Sequence, residues 1–254
     1  MKKDNKSTKY LFEYNLLNIN VLSVFILVIC IYGNKLVEHL LGKNFIETTG
    51  IGILENAADD EAGRMLLAFF IIAFVVLFLW FILHEIIHGI AYRVMGAKKD
   101  DITYGIVLEK GIFYCKCSSF VSKKCILVSV LAPFILIGIV TYIIGAIFNL
   151  GWLVYLSLLN MMGAAGDLAM FSFFIGRDKE IKFKELDDST SFCLETKEDL
   201  SNKKFLFVKL KKVVTDVKEV KEEKSKLITI SKSSYGILIV IFIIFVIALL
   251  SIFI

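Results

Sequence analysis

The chain has 254 residues, a net charge of +4, and 57% hydrophobic residues, with 22 Phe against a single Pro. Its mean hydropathy is +0.74. A soluble domain of this length does not carry so much apolar sequence in long runs, so composition points to an integral membrane protein. The basic residues flank apolar runs with no recognition motif beside them, which argues against a nucleic-acid partner.

Residues 1–10 are polar and lysine-rich, and residues 16–32 form a first apolar run. No small-x-small cleavage site follows, so this run is expected to be a retained span and not a signal peptide. Residues 33–64 are polar and lean acidic, an expected loop in which His39 is solvated. The second span, 65–95, is longer than the hydrocarbon core, so its last turns should leave it. Residues 102–108 and 112–117, around Glu109, Lys110 and Gly111, are β-rich and predict a hairpin. The third span, 125–150, carries Pro133 near its start, expected to kink it or end its first turn. A tight turn at residues 149–151 leads into the fourth span, 152–176. Residues 177–234 are dense in Lys and Glu. There Ile181 and Phe183, then Phe192 and Leu194, alternate like short strands, whereas Val213, Val214, Val217 and Val220 follow helical spacing. Residues 236–254 are a last apolar run.

The expected fold is an all-α polytopic membrane protein of about five transmembrane helices, with a short membrane-associated β-hairpin and a small cytoplasmic α+β segment. It divides into an N-terminal span and extracytoplasmic loop (1–64), a membrane core (65–176), a lysine-rich cytoplasmic segment (177–234) and a C-terminal span (235–254). Lysine placement puts the N-terminus inside and the C-terminus outside. Cys115, Cys117, Cys125 and Cys193 then fall in or beside cytoplasmic segments, where disulfides do not persist.

The chemistry is concentrated at His84-Glu85-Ile86-Ile87-His88, at the end of the apolar run 65–83. Residues four apart share one helix face, so His84 and His88 can reach one metal ion, and Glu85 beside them can take a proton from a bound water. Two of the chain's three histidines stand at this spacing. Catalytic zinc usually takes three protein ligands, so a third should come from another span. Asp167 is the candidate. It sits in an otherwise apolar helix, where a lone carboxylate costs roughly 2.5–3.5 kcal/mol and should therefore face a partner. Asn160 lies almost two turns earlier on the same face, with Gly163 between. Read without a metal, Asp167 and Asn160 would be interhelical hydrogen-bonding groups and the histidines headgroup-region residues.

His84-Glu85-x-x-His88-Gly89, the β-rich segment, Leu131-Ala132-Pro133-Phe134, Asn160 and Gly166-Asp167-Leu168 together resemble a bacterial membrane family of zincin peptidases. That family is in turn similar to the site-2 protease group of intramembrane zinc metalloproteases. The resemblance covers about half the chain. It implies a bacterial plasma-membrane protein with Zn2+ held by His84, His88 and Asp167, Glu85 as general base, and Asn160 as a substrate-orienting group. Two departures stand out: Asp167 is not set in Leu-Asp-Gly, and no proline lies between Asn160 and Asp167. The expected function is zinc-dependent intramembrane cleavage of membrane-embedded or membrane-bound polypeptides. The alternative is a non-proteolytic zinc-binding membrane scaffold or interaction protein; Glu85, which zinc binding alone does not require, favours the enzyme.

Overall fold

The computed structural model describes residues 7–49, 59–107, 112–186, 191–201, 203–212 and 228–229. The chain enters as a strand, β1 (Thr8–Tyr14), and turns directly into helix α1 (Leu16–Leu41). Helix α2 (Asp59–Val94) is followed by the strands β2 (Ile102–Val107), β3 (Ile112–Cys117) and β4 (Val121–Ser122). Helix α3 (Lys123–Pro133) continues through a π-helical stretch, Phe134–Val140, into α4 (Thr141–Phe148). Helices α5 (Gly151–Gly163) and α6 (Ala165–Ile175) form a pair bent by 50°. The strands β5 (Lys182–Glu185), β6 (Ser191–Thr196), β7 (Val208–Lys212) and β8 (Ile228–Thr229) complete the described elements.

Among the described residues, Leu16–Leu41, Gly63–Val94 and Lys123–Phe148 are long and apolar enough to cross a membrane, and the bent pair α5–α6 adds a fourth if it counts as one span. Their outer faces expose Leu17, Phe70, Phe74 and Ile147, the pattern of helices whose apolar surface meets lipid and not protein.

The strands form two antiparallel sheets, one in the order β4-β5-β6-β1-β7 and one in the order β3-β2-β8. Strand β1 enters α1, the β2–β3 hairpin leaves α2, β4 enters α3 and β5 follows α6, so both sheets sit at the same end of the helices. The larger sheet closes on that end through aromatic packing. Phe12 meets Phe173 of α6 edge-on at 5.1 Å and Phe192 at 5.3 Å, and Phe183 stacks on Phe192 at 5.1 Å. At the opposite end, the chain after α1 docks on α4 and α5: Lys43 Nζ donates to the Ala146 carbonyl at 2.7 Å and the Gly151 amide to Thr48 Oγ1 at 3.0 Å.

The hairpin stands where the β-rich segments predict it, with Ile102 opposite Cys117 and Val107 opposite Ile112. The alternating pairs at 181–183 and 192–194 fall on β5, its approach and β6, and Ile181, Phe183, Phe192 and Leu194 are all buried. Other expectations need correcting. Beyond the expected hairpin and α+β segment, the N-terminal polar stretch also contributes a strand, β1, which lies inside the five-stranded sheet between β6 and β7. Its period-two burial of Tyr10 and Phe12 spans too few residues to stand out beside the lysines. The loop expected over 33–64 begins late, since α1 runs to Leu41 with Asn34 and Glu38 buried. Glu38 is satisfied locally by Lys35 at 3.1 Å and by the Phe45 amide at 3.1 Å, so the polar residues extend the helix instead of ending it. His39 is exposed, as a solvated residue should be. The α-helical ladder ends at Pro133, although the helix as a whole runs on to Phe148. The ladder past it widens into the π-helical stretch, the register change a helix uses to absorb such a fault. The helix expected over 152–176 is broken at Ala164. The helical spacing at 213–220 and the apolar run 236–254, the fifth of the expected spans, lie outside the described residues.

Candidate metal centre

Helix α2 puts His84, Glu85 and His88 in its last third, and His84 and His88 are buried one turn apart on the same face. The break at Ala164 then supplies what the sequence alone does not show. It makes a fresh helix N-terminus within an otherwise apolar stretch, and Asp167 sits in the first turn of α6, where unpaired amides and the helix dipole favour a carboxylate. Asp167 Oδ2 lies 3.1 Å from His84 Nε2 and 3.4 Å from His88 Nε2, and the two Nε2 atoms lie 3.1 Å apart.

The outer nitrogens of both rings are committed. His88 Nδ1 lies 2.8 Å from the Ser129 carbonyl, which can only accept, so Nδ1 carries the proton and Nε2 presents a lone pair. Asn160 Nδ2 donates to the Pro133 carbonyl at 3.2 Å, which turns Asn160 Oδ1 toward His84 Nδ1 at 2.9 Å. Hence His84 also holds its proton on Nδ1. Two ring nitrogens and a carboxylate oxygen thus face one another within hydrogen-bond distance, and the nitrogens repel unless a proton or a cation lies between them. A cation resolves that repulsion. Tetrahedral zinc, with bonds of about 2.0–2.1 Å to such ligands, would space its ligand atoms roughly 3.3–3.4 Å apart, close to the separations found. The donor set fits zinc, and the ring hydrogen bonds are the outer support that imidazole ligands normally have.

Glu85 also belongs to the cluster: its carboxylate and the ring nitrogens of His84 and His88 lie within 4.8 Å of one another. Its surroundings differ from those of Asp167. It faces the Cys115 backbone on β3 and lines a cleft of about 190 Å³ together with Phe81, His84, Phe113, Asn160 and Gly163. Phe113 stacks on Phe81 at 6.0 Å, giving the cleft one aromatic wall. All five residues singled out in the sequence therefore meet at one place: His84, Glu85, His88 and Asp167 around the cation position, and Asn160 behind His84.

Sequence reasoning set the hairpin beside the metal helix as a candidate pairing edge for an extended substrate, but did not find the Ser129 carbonyl or the contact of Glu85 with the Cys115 backbone. One signal was present in Gly89. A Cβ there would fall 1.9 Å from the Tyr104 hydroxyl, so only glycine lets the β2 ring lie against α2 directly after the second histidine. The Cys115 and Cys117 pair offers no competing site. Burial pushes the Cys115 thiol well above its ordinary value, which disfavours the thiolate a metal needs, and the metal-competent group among the described residues is the one at His84, Glu85 and His88.

Comparison with curated proteins and with solved structures gives no match. A family profile described as "Putative zincin peptidase" matches residues 76–182, a segment that holds the paired histidines, the hairpin and Asp167. Over that segment the chain is similar to the family, and the match together with the His-Glu-His cluster suggests a zinc peptidase.

Proposed function

We propose that the chain is a zinc-dependent intramembrane endopeptidase of the site-2 protease kind, acting on membrane-embedded or membrane-bound polypeptides. The observation that carries this reading is the trio of lone-pair atoms on His84, His88 and Asp167 beside a second carboxylate, Glu85, that opens onto the cleft. His84, His88 and Asp167 hold the metal, and Asn160 and Ser129 hold the two rings in the tautomer that binds it. In this reading Asn160 acts through His84, since both ends of its amide are already engaged. Bound zinc supplies Lewis acidity, lowering the pKa of water toward about 7 and polarising a carbonyl. Glu85 accepts the proton of the attacking water on its carboxylate and returns it to the nitrogen of the departing amine.

The substrate class follows from where the cleft lies. It opens between α5, β3 and α2, a helix long and apolar enough to cross a membrane, and its one aromatic wall suits an apolar side chain. A substrate helix must unwind before its backbone can reach Glu85. Among the described residues β3 is the outer strand of its sheet, with β2 as its one strand neighbour, so Phe113 beside the cleft offers main-chain pairing to an extended segment. In this reading both sheets face the cytoplasm of a bacterium and the N-terminus lies with them, consistent with the lysines that flank the spans.

The deciding experiment compares Glu85→Gln with wild type in vesicles holding a labelled single-span polypeptide. The amide keeps the shape and removes the base. Cleavage should fall by at least about 100-fold, the size of a general-base contribution, while zinc content stays at wild-type level. Equal cleavage by the two proteins would refute the peptidase reading and leave a zinc clamp between α2 and α6.

A further inference from the structure

Two carboxylates meet the outer edge of β3. The Ser118 amide donates to the Asp101 carbonyl at 2.8 Å, on the side of β2. Backbone groups alternate along a strand, so the amides of Cys117, Cys115 and Phe113 face the other edge. Glu85 of α2 lies against the backbone of Cys115, and Glu185 of β5 lies against the backbone of Cys117. Glu185 does more than cap the strand. Its Oε1 accepts the Tyr92 hydroxyl at 2.9 Å, and Tyr92 stands one turn beyond His88 on the metal-bearing face of α2. Tyr92 and Cys117 are both buried. One carboxyl group thus ties together α2, β3 and the five-stranded sheet. It lies just beyond the family-matched segment 76–182.

We propose that Glu185 is a positioning residue, which fixes the spacing between α2 and the edge of β3 and thereby the aim of Glu85 into the cleft. The inference rests on the reading of Glu85 as the base. Cys115 and Cys117 are two residues apart, about 6.8 Å along an extended strand, so a shift of the strand at one is felt at the other. Removing the Glu185 carboxyl leaves a buried hydroxyl and a buried amide without their acceptor, and the strand moves to find water or another partner. Burial pushes the Glu185 carboxyl up to about 7, while its hydrogen bonds to the Tyr92 hydroxyl and the Cys117 backbone pull it down.

The test uses the full chain in phosphatidylcholine vesicles with a labelled single-span polypeptide as probe. Glu185→Ala should lower kcat about 10- to 100-fold, the penalty of a sub-ångström to one-ångström misplacement, with KM within about twofold and zinc content unchanged. Glu185→Gln, which keeps a carbonyl to accept the Tyr92 hydroxyl, should recover most of kcat. Independently of turnover, the amides of residues 113–117 should exchange hydrogen at least about tenfold faster in Glu185→Ala than in wild type or Lys184→Ala. Should Glu185→Ala fail to fold, Tyr92→Phe removes a single hydroxyl and should shift kcat and exchange in the same directions by less. Wild-type kcat and wild-type β3 protection in these variants would overturn the proposal. So would a kcat loss matched by zinc loss, which marks a merely structural residue. Glu85→Gln run in parallel separates the two readings. If it is fully active, the peptidase reading falls. If it is inactive while Glu185→Ala is fully active, only the positioning role falls.

Discussion

Asn160→Ala tests the ligand geometry without touching a ligand. The side chain is buried, with Oδ1 accepting from His84 Nδ1 at 2.9 Å and Nδ2 donating to the Pro133 carbonyl at 3.2 Å. Truncation leaves the ring N–H and the carbonyl without partners, each costing about 1–3 kcal/mol, so the fold should lose roughly 2–4 kcal/mol once some water enters. The imidazole also loses the contact that fixes its tautomer. Such outer-shell losses weaken metal binding about 10- to 100-fold, or roughly 1.4–2.8 kcal/mol at 1.4 kcal/mol per tenfold. The assay is chelator competition for zinc on the purified full chain, beside a thermal melt with and without metal. Asn160→Ala should bind zinc more weakly and gain less from it on melting. Wild-type zinc affinity in a folded Asn160→Ala protein would refute the claim that His84 presents Nε2 to a cation because Asn160 holds Nδ1–H.

Four further outcomes follow from the same structure. Asp167→Ala and His88→Ala should each strip most of the zinc, measured as metal per chain; full occupancy in Asp167→Ala would show that the third ligand comes from elsewhere, Glu85 being the next candidate. Gly89→Ala forces a Cβ into the Tyr104 ring and should destabilise the protein by about 1–3 kcal/mol, read as a lower melting temperature that Tyr104→Ala partly restores. Glu185 is raised from its ordinary 4.5 to about 7 by burial. Across that window the folded chain retains a proton that the unfolded chain has released, so stability should fall as pH rises from 4.5 to 7, and Glu185→Gln should flatten the slope seen in denaturation at successive pH values. Reporters fused before Thr8 and inserted at Lys203 should mark the same side of the membrane, since both attach to the sheet end of the helices; opposite sides would contradict the observed topology.

The sequence alone determined much of the site. A pair of histidines four apart on a helix must share a face, and a carboxylate in an apolar run must find a partner, so His84, His88 and Asp167 were legible as one centre. Long apolar runs marked the helices because burial in lipid is a property of composition over about twenty residues, and the hairpin was legible because alternation is local. Tertiary structure decided the rest. Residues 8–14 become an interior strand only because β6 and β7, nearly two hundred residues later, pair with both their edges. The break at Ala164, which gives Asp167 its helix N-terminus, has no proline to announce it, and Gly163 alone reads equally well as a close-packing residue. Asn160 could be placed on the right face and read by resemblance as substrate-orienting, but its contact with His84 was not legible, because whether an amide meets a ligand ring depends on where Pro133 and His84 stand in space. The Ser129 carbonyl and the Cys115 and Cys117 amides were invisible for a simpler reason: backbone groups are the same in every residue, and only folding decides which of them face the site.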